Sequence, residues 1–132
     1  MTFQFNTSLG TILVGGLLTG PAGSTAVALI LDTGASRTTI REEPLTLVGY
    51  DPSSLKISHS MLTANGVIHG AEVSLLGLDT LGMNRLNYPI LAFNMPGPDD
   101  LDGVLGLDFF RDQVLTLDFQ KGEITLNPGT TP

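Results

Sequence analysis

The sequence of 132 residues predicts an all-β fold with one or two short helices. Three observations carry that prediction. Sixteen glycines and eight prolines are spread along the chain, which suits many short strands joined by turns. An apolar run, Ala26-Val27-Ala28-Leu29-Ile30-Leu31, is bounded by Gly23-Ser24 and Gly34, the pattern of a short strand buried on both faces. Asn65-Gly66 stands between two strand-like runs, and that dipeptide is the strongest short-range hairpin signal because both central residues need positive φ.

The elements follow in order. Phe3 to Ser8 alternates and reads as a strand or an arm, and Thr11 to Leu18 as a strand that Gly15-Gly16 would bulge. Gly20-Pro21-Ala22-Gly23 turns it back into Ala26–Leu31 as a hairpin. Thr38-Thr39-Ile40 is β-branched and extended. Glu42-Glu43-Pro44-Leu45 places acids and a proline where a helix N-terminus prefers them, and Gly49-Tyr50-Asp51-Pro52 ends that helix. The hairpin around Asn65-Gly66 joins Ile57–Ala64 to Val67–Leu75. Leu86 to Phe93 is a strand in which Pro89 marks an unpaired edge. Met95 to Asp100 is a loop by composition. Val104-Leu105-Gly106 is a second buried strand, Asp108 to Asp112 a short helical turn, and Val114–Phe119 turns at Gln120-Lys121-Gly122 into Glu123–Leu126. One domain spans 1–132, with its core at about 11–127 and a polar tail at 128–132.

Composition excludes several function classes. Charged residues make up 14% and hydrophobic ones 42%, which argues for a packed domain rather than disorder. The net charge of −7 offers no basic patch for phosphates, so neither nucleic acid nor an anionic membrane is an expected partner. Zero cysteines exclude disulfides and thiolate metal sites. Met1 to Asn6 lacks the basic start and apolar core of a signal peptide, and no stretch approaches a membrane span. The expectation is a cytoplasmic protein, although a domain excised from a longer precursor would look the same.

Chemistry concentrates at Asp32-Thr33-Gly34-Ala35-Ser36. Asp32 sits at the mouth of the apolar strand, where a carboxylate is costly unless something uses or satisfies it. Behind that apolar run, the segment resembles the catalytic loop of the aspartic proteases. Gly103-Val104-Leu105-Gly106-Leu107-Asp108 resembles the glycine-containing apolar segment that follows the flap in their single-domain, retropepsin-like members. The resemblance implies a closed, barrel-like β fold with an approximate internal two-fold, echoed here by two apolar strands that end at Asp32 and near Asp108. It implies that the Asn65-Gly66 hairpin is the flap, with Ala64, Asn65 and Gly66 at its tip.

The activity so implied is that of an aspartic endopeptidase. Two carboxyl groups sharing a proton let the ionised one activate water while the protonated one hydrogen-bonds the peptide carbonyl. Two such charges about 3 Å apart cannot both ionise, so they titrate as a unit. The sequence carries a single Asp-Thr-Gly, since Asp79-Thr80-Leu81 lacks the glycine and the apolar strand. The economical solution is a homodimer in which Asp32 of each chain meets at the two-fold axis. On the same resemblance, Thr33 bonds across the axis, Gly34 lets an extended peptide or protein substrate lie close, and Ala35 and Ser36 line subsites. Val104 and Leu105 buttress the loop or line a subsite, and Gly106 packs beneath it. Ser36-Arg37 and Leu107 depart from the viral members, which carry acids and an arginine there, so a cellular or bacterial relative is the closer likeness.

Other candidates read more plainly. His59 and His69 lack a third ligand at useful spacing, so no metal or other cofactor is expected. Asp99, Asp100 and Asp102 lack the remaining pattern of a calcium loop and read as a solvated acidic loop. Asp108 reads as the cap of the turn that follows it, and Phe109 and Phe110 as core. A second reading of the whole is a retropepsin-fold dimerisation or peptide-binding module without turnover.

Overall fold

The structure is a computed structural model that describes residues 1–55, 59–63, 66–94 and 100–129, and of residues 59, 61–63 and 66–69 only the backbone. Its strands in chain order are β1 (Thr2–Gln4), β2 (Leu13–Gly20), β3 (Gly23–Leu31), β4 (Thr39–Arg41), β5 (His59–Thr63), β6 (Gly66–Thr80), β7 (Met83–Phe93), β8 (Gly103–Leu105), β9 (Gln113–Asp118) and β10 (Glu123–Pro128). One short helix, α1 (Glu42–Leu47), follows β4, and single 3-10 turns cover Pro52–Ser54 and Leu107–Phe110.

Six strands close into a barrel in the order β2-β3-β8-β4-β7-β6, because β6 also pairs with β2. The closure brings Gly16 opposite Thr80, where a Cβ would lie 3.2 Å from both the Asp79 carbonyl and the Thr80 Cβ. A glycine eases that close approach, and the register with β3 runs unbroken from Leu13↔Ile30 to Gly20↔Gly23. The expected bulge at Gly15-Gly16 is therefore absent in the pairing with β3, and it is Gly16 alone that faces the crossing strand β6 closely. The Pro21-Ala22 hairpin turn is as expected, with Gly23 at φ 137°.

Closure also corrects the reading of β3. A barrel strand has one inward face, so Val27, Leu29 and Leu31 are buried while Ala28 and Ile30 are half-buried and Ala26 is exposed. The core holds Leu18, Leu29, Ile40, Leu75, Ile90, Leu105 and Phe109, all with no measurable exposure. β4 pairs with β7 only over Leu91–Phe93, which leaves Pro89 beyond its reach, as its missing N–H requires.

β5 hangs on β6 as a hairpin whose last pair is Thr63↔Gly66. Gly66 thus opens β6 rather than occupying a central turn position. Ala64 and Asn65, named for the flap tip, lie outside the described residues, as does 95–99 of the expected loop. Outside the barrel, β1, β10 and β9 form a small antiparallel sheet. Asn127 and Pro128 belong to β10, opposite Val114 and Gln113, so the strand runs past the expected core boundary. Among the described residues no helix is long and apolar enough to cross a membrane.

Candidate active site

The floor of the site is built from two parallel strands. β3 and β8 pair in register from Leu29↔Gly103 to Leu31↔Leu105, so Asp32 and Gly106 leave the sheet side by side. The Asp32 N–H donates to the Leu105 carbonyl at 3.0 Å, which carries the pairing one step beyond the strand end. The chain then turns: the Ala35 N–H donates to the Asp32 carbonyl at 3.2 Å, and the Gly34 N–H to Asp32 Oδ1 at 2.8 Å. Asp32, Thr33, Gly34 and Ser36 are exposed and Ala35 is half-buried.

Gly106 lies directly under this loop. A Cβ there would sit 2.7 Å from both the carbonyl carbon and oxygen of Arg37 and 2.9 Å from the Ala35 oxygen. Backbone atoms cannot give way as a flexible side chain would, so only glycine fits. The Leu107 N–H donates to the Ala35 carbonyl at 2.8 Å, fastening the loop again on the far side of Gly106.

A cavity of about 430 Å³ opens over the floor, lined by Asp32, Gly34, Ala35, Ser36 and Val104, and by Ser60 from the β5 hairpin. Of the two β8 residues assigned to subsites, Val104 faces this cavity and Leu105 does not. Leu105 is fully buried, and its carbonyl accepts the Asp32 N–H. Asp32 also stands on the rim of a second hollow of about 520 Å³, bounded by Phe5, Leu9, Ile12 and Phe119 on the side of the small sheet. Phe119 is 66% exposed and meets the Phe5 ring edge-on at 5.8 Å. Asp32 thus lines two adjoining cavities.

Beneath the loop runs a polar network that sequence reasoning missed. Asp108 does not cap its own turn, whose N-cap is Gly106 without a side-chain bond. The carboxylate reaches back instead, and Oδ1 accepts the Thr38 N–H at 2.9 Å and the Thr38 hydroxyl at 2.8 Å. The Thr38 oxygen in turn accepts the Tyr88 hydroxyl at 2.9 Å and the Gly106 N–H at 3.1 Å. Burial raises the Tyr88 pKa well above the ordinary phenol range, so this hydroxyl is a standing donor. Arg37 Nε lies 3.7 Å from Asp108 Oδ2, and its Nη2 is 3.0 Å from Glu72 Oε2 on β6.

A detectable signal existed for Thr38. It lies two residues before Ile40, so a strand period puts both on the inward face, and an inward polar residue demands partners. For Asp108 the cue was an acid set between Leu107 and Phe109-Phe110. Asp102 likewise corrects the solvated-loop reading: its Oδ2 accepts the Ala28 N–H at 2.8 Å and its Oδ1 lies 3.3 Å from Arg41 Nη2.

Residues 18–109 match the sequence profile of a family described as aspartyl protease. No curated protein matches the chain in sequence. Among solved structures, the fold is similar to a retropepsin-like aspartic protease from Rickettsia conorii, with a TM-score of 0.73 at 18% identity, covering 99% of this chain and 92% of that one. It is similar to the retroviral protease-like domain of Ddi1 from Leishmania major, with a TM-score of 0.63 at 13% identity over 94% of this chain and 96% of the other. It is also similar to the EIAV protease complexed with the inhibitor HBY-793, with a TM-score of 0.58 at 16% identity over 77% and 86%.

Proposed function

The chain belongs to the aspartyl protease family, with the retropepsin-like fold, and we propose that it is an endopeptidase whose water-activating dyad consists of Asp32 from each of two identical chains. The observation that carries the reading is the placement of Asp32: an exposed carboxylate on a loop bonded at both ends to β8 and its turn, opening on a cavity bounded by a β hairpin. A backbone-fastened loop costs little reorganisation when charge develops in the transition state. An extended peptide laid along the cavity would pass close over Gly34, bring its scissile carbonyl to Asp32 and meet Ala35, Ser36 and Val104 with its side chains. The flap-tip roles of Ala64, Asn65 and Gly66 and the cross-axis bond of Thr33 belong to the same reading.

The second Asp32 is required by the chemistry. One carboxylate can take a proton from water, but polarising the carbonyl needs a partner that holds the shared proton. The hollow beside Asp32, with Leu9 and Phe119 exposed at 46% and 66%, supports a seam with a second copy on that side. The test is a peptide-library digest from about pH 3 to about pH 7, read by mass spectrometry, with wild type beside Asp32→Asn. Cleavage by wild type that vanishes in the variant is the expected result. Cleavage that survives in Asp32→Asn would overturn the assignment, and binding of peptides without cleavage by either protein would favour a recognition module.

A further inference from the structure

We propose that Thr38 and Asp108 are positioning residues for Asp32, acting through the Gly106 amide; the inference rests on the reading of Asp32 as the reacting carboxylate. The Thr38 hydroxyl has one proton and two lone pairs, and all three are used. The directions are fixed by the partners. A carboxylate oxygen accepts, so Thr38 donates to Asp108. A backbone N–H donates, so Gly106 gives its proton to Thr38, and the second lone pair takes the Tyr88 hydroxyl. Thr38 is itself fully buried and the Asp108 side chain is 10% exposed, so none of these bonds has water as a ready substitute.

What this node holds is the hinge of the loop. The residues on either side of Gly106 make the two bonds that locate the loop, Leu105 to Asp32 and Leu107 to Ala35. Gly106 itself touches the loop only through close packing against Arg37 and Ala35. Its amide is tied to Thr38, and Thr38 to Asp108 by two bonds, so the strand pair, the 3-10 turn and β7 share one fixed point. Without the hydroxyl, the buried Gly106 N–H loses its acceptor and the turn must shift to find another. A displacement of about 1 Å at a reacting group is enough to cost roughly 10²-fold in rate.

The experiment compares Thr38→Val, which keeps the shape and removes the hydroxyl, with Thr38→Ser, which keeps the hydroxyl. Two quantities are read: kcat and KM on a peptide that wild type cleaves, and hydrogen exchange of the Asp32 and Leu107 amides against Ile124 in the distant sheet. The expected result for Thr38→Val is a kcat about 10²-fold lower with KM within about threefold, and faster exchange at Asp32 and Leu107 but not at Ile124. Thr38→Ser should restore both. Equal impairment in both variants would mean that only packing matters and would overturn the proposal, as would wild-type kcat and protection in Thr38→Val. If wild type cleaves nothing, the catalytic reading fails, while selective loss of amide protection in Thr38→Val and its return in Thr38→Ser still establish the anchoring. Should Thr38→Val not fold, Asp108→Asn, which keeps an acceptor at Oδ1, should lie between wild type and an Asp108→Ala variant in both readouts. No difference between those two would overturn the role of Asp108.

Discussion

Asp32 and Asp108 stand just past the ends of two parallel strands that pair residue for residue, yet their surroundings give them opposite tasks. Asp32 is exposed, and its carboxylate accepts a bond from the Gly34 amide two residues on. The Asp108 side chain is nine-tenths buried, accepts two bonds from Thr38 and faces Arg37. A buried carboxylate with one oxygen bonded twice to the protein and the other turned toward an arginine supports structure. One left open over a cavity is available to substrate. The same residue type one turn away from the same sheet is thus sorted by burial and by partner count.

The contrast predicts effects that separate cleanly. Asp32→Asn should lower turnover by at least about 10³-fold, as loss of a positioned acid–base group does. It should change stability by less than about 0.5 kcal/mol, because the side chain is exposed; denaturant titration checks this. Gly106→Ala should cost roughly 1–3 kcal/mol, since its Cβ meets backbone on three atoms that cannot retreat, and activity should fall with it. Asp108→Asn differs from Asp32→Asn in its cost to the fold: it should lose about 1–3 kcal/mol of stability, because an amide replaces an acceptor beside Arg37 and leaves a buried donor without a partner.

Smaller effects sharpen the same picture. Burial raises the Tyr88 pKa above its ordinary 10.0, so the folded state holds this proton more tightly than the unfolded state does. Stability from this source is therefore intact below about pH 10 and declines as pH rises further. Unfolding of wild type at about pH 8 and about pH 11 should show the loss, and Tyr88→Phe should flatten it. Smallest of all, a double-mutant cycle on Arg37 and Glu72 should return less than about 1 kcal/mol, weakening with salt, because both side chains are partly in water at 30% and 49% exposure.

The fold class was legible, and the candidate site could be marked on the chain, because both rest on local signals. The apolar run into Asp32, the Pro21-Ala22 turn and the acid-rich start of α1 each announce themselves within a few residues. Barrel closure was expected only from family resemblance, since the β2–β6 pairing joins residues more than fifty positions apart. Two local readings failed for that same reason: Gly16 faces a strand that sequence order does not place nearby, and β3 has an outside. Thr38 and Asp108 are seventy positions apart, and neither residue names its partner in advance. The acid cue at Asp108 was read as a local cap, the commoner use of an aspartate before a turn, when the bond was long-range.

The most direct test of the account is to co-refold wild type with Asp32→Asn at varied ratios and follow total peptidase activity. If two copies of Asp32 form one dyad, only all-wild-type dimers are active, and an equal mixture should retain about a quarter of the activity of the same total amount of wild type. Activity that falls in simple proportion, to about half, would mean that each chain acts alone, and the shared-dyad account would be wrong.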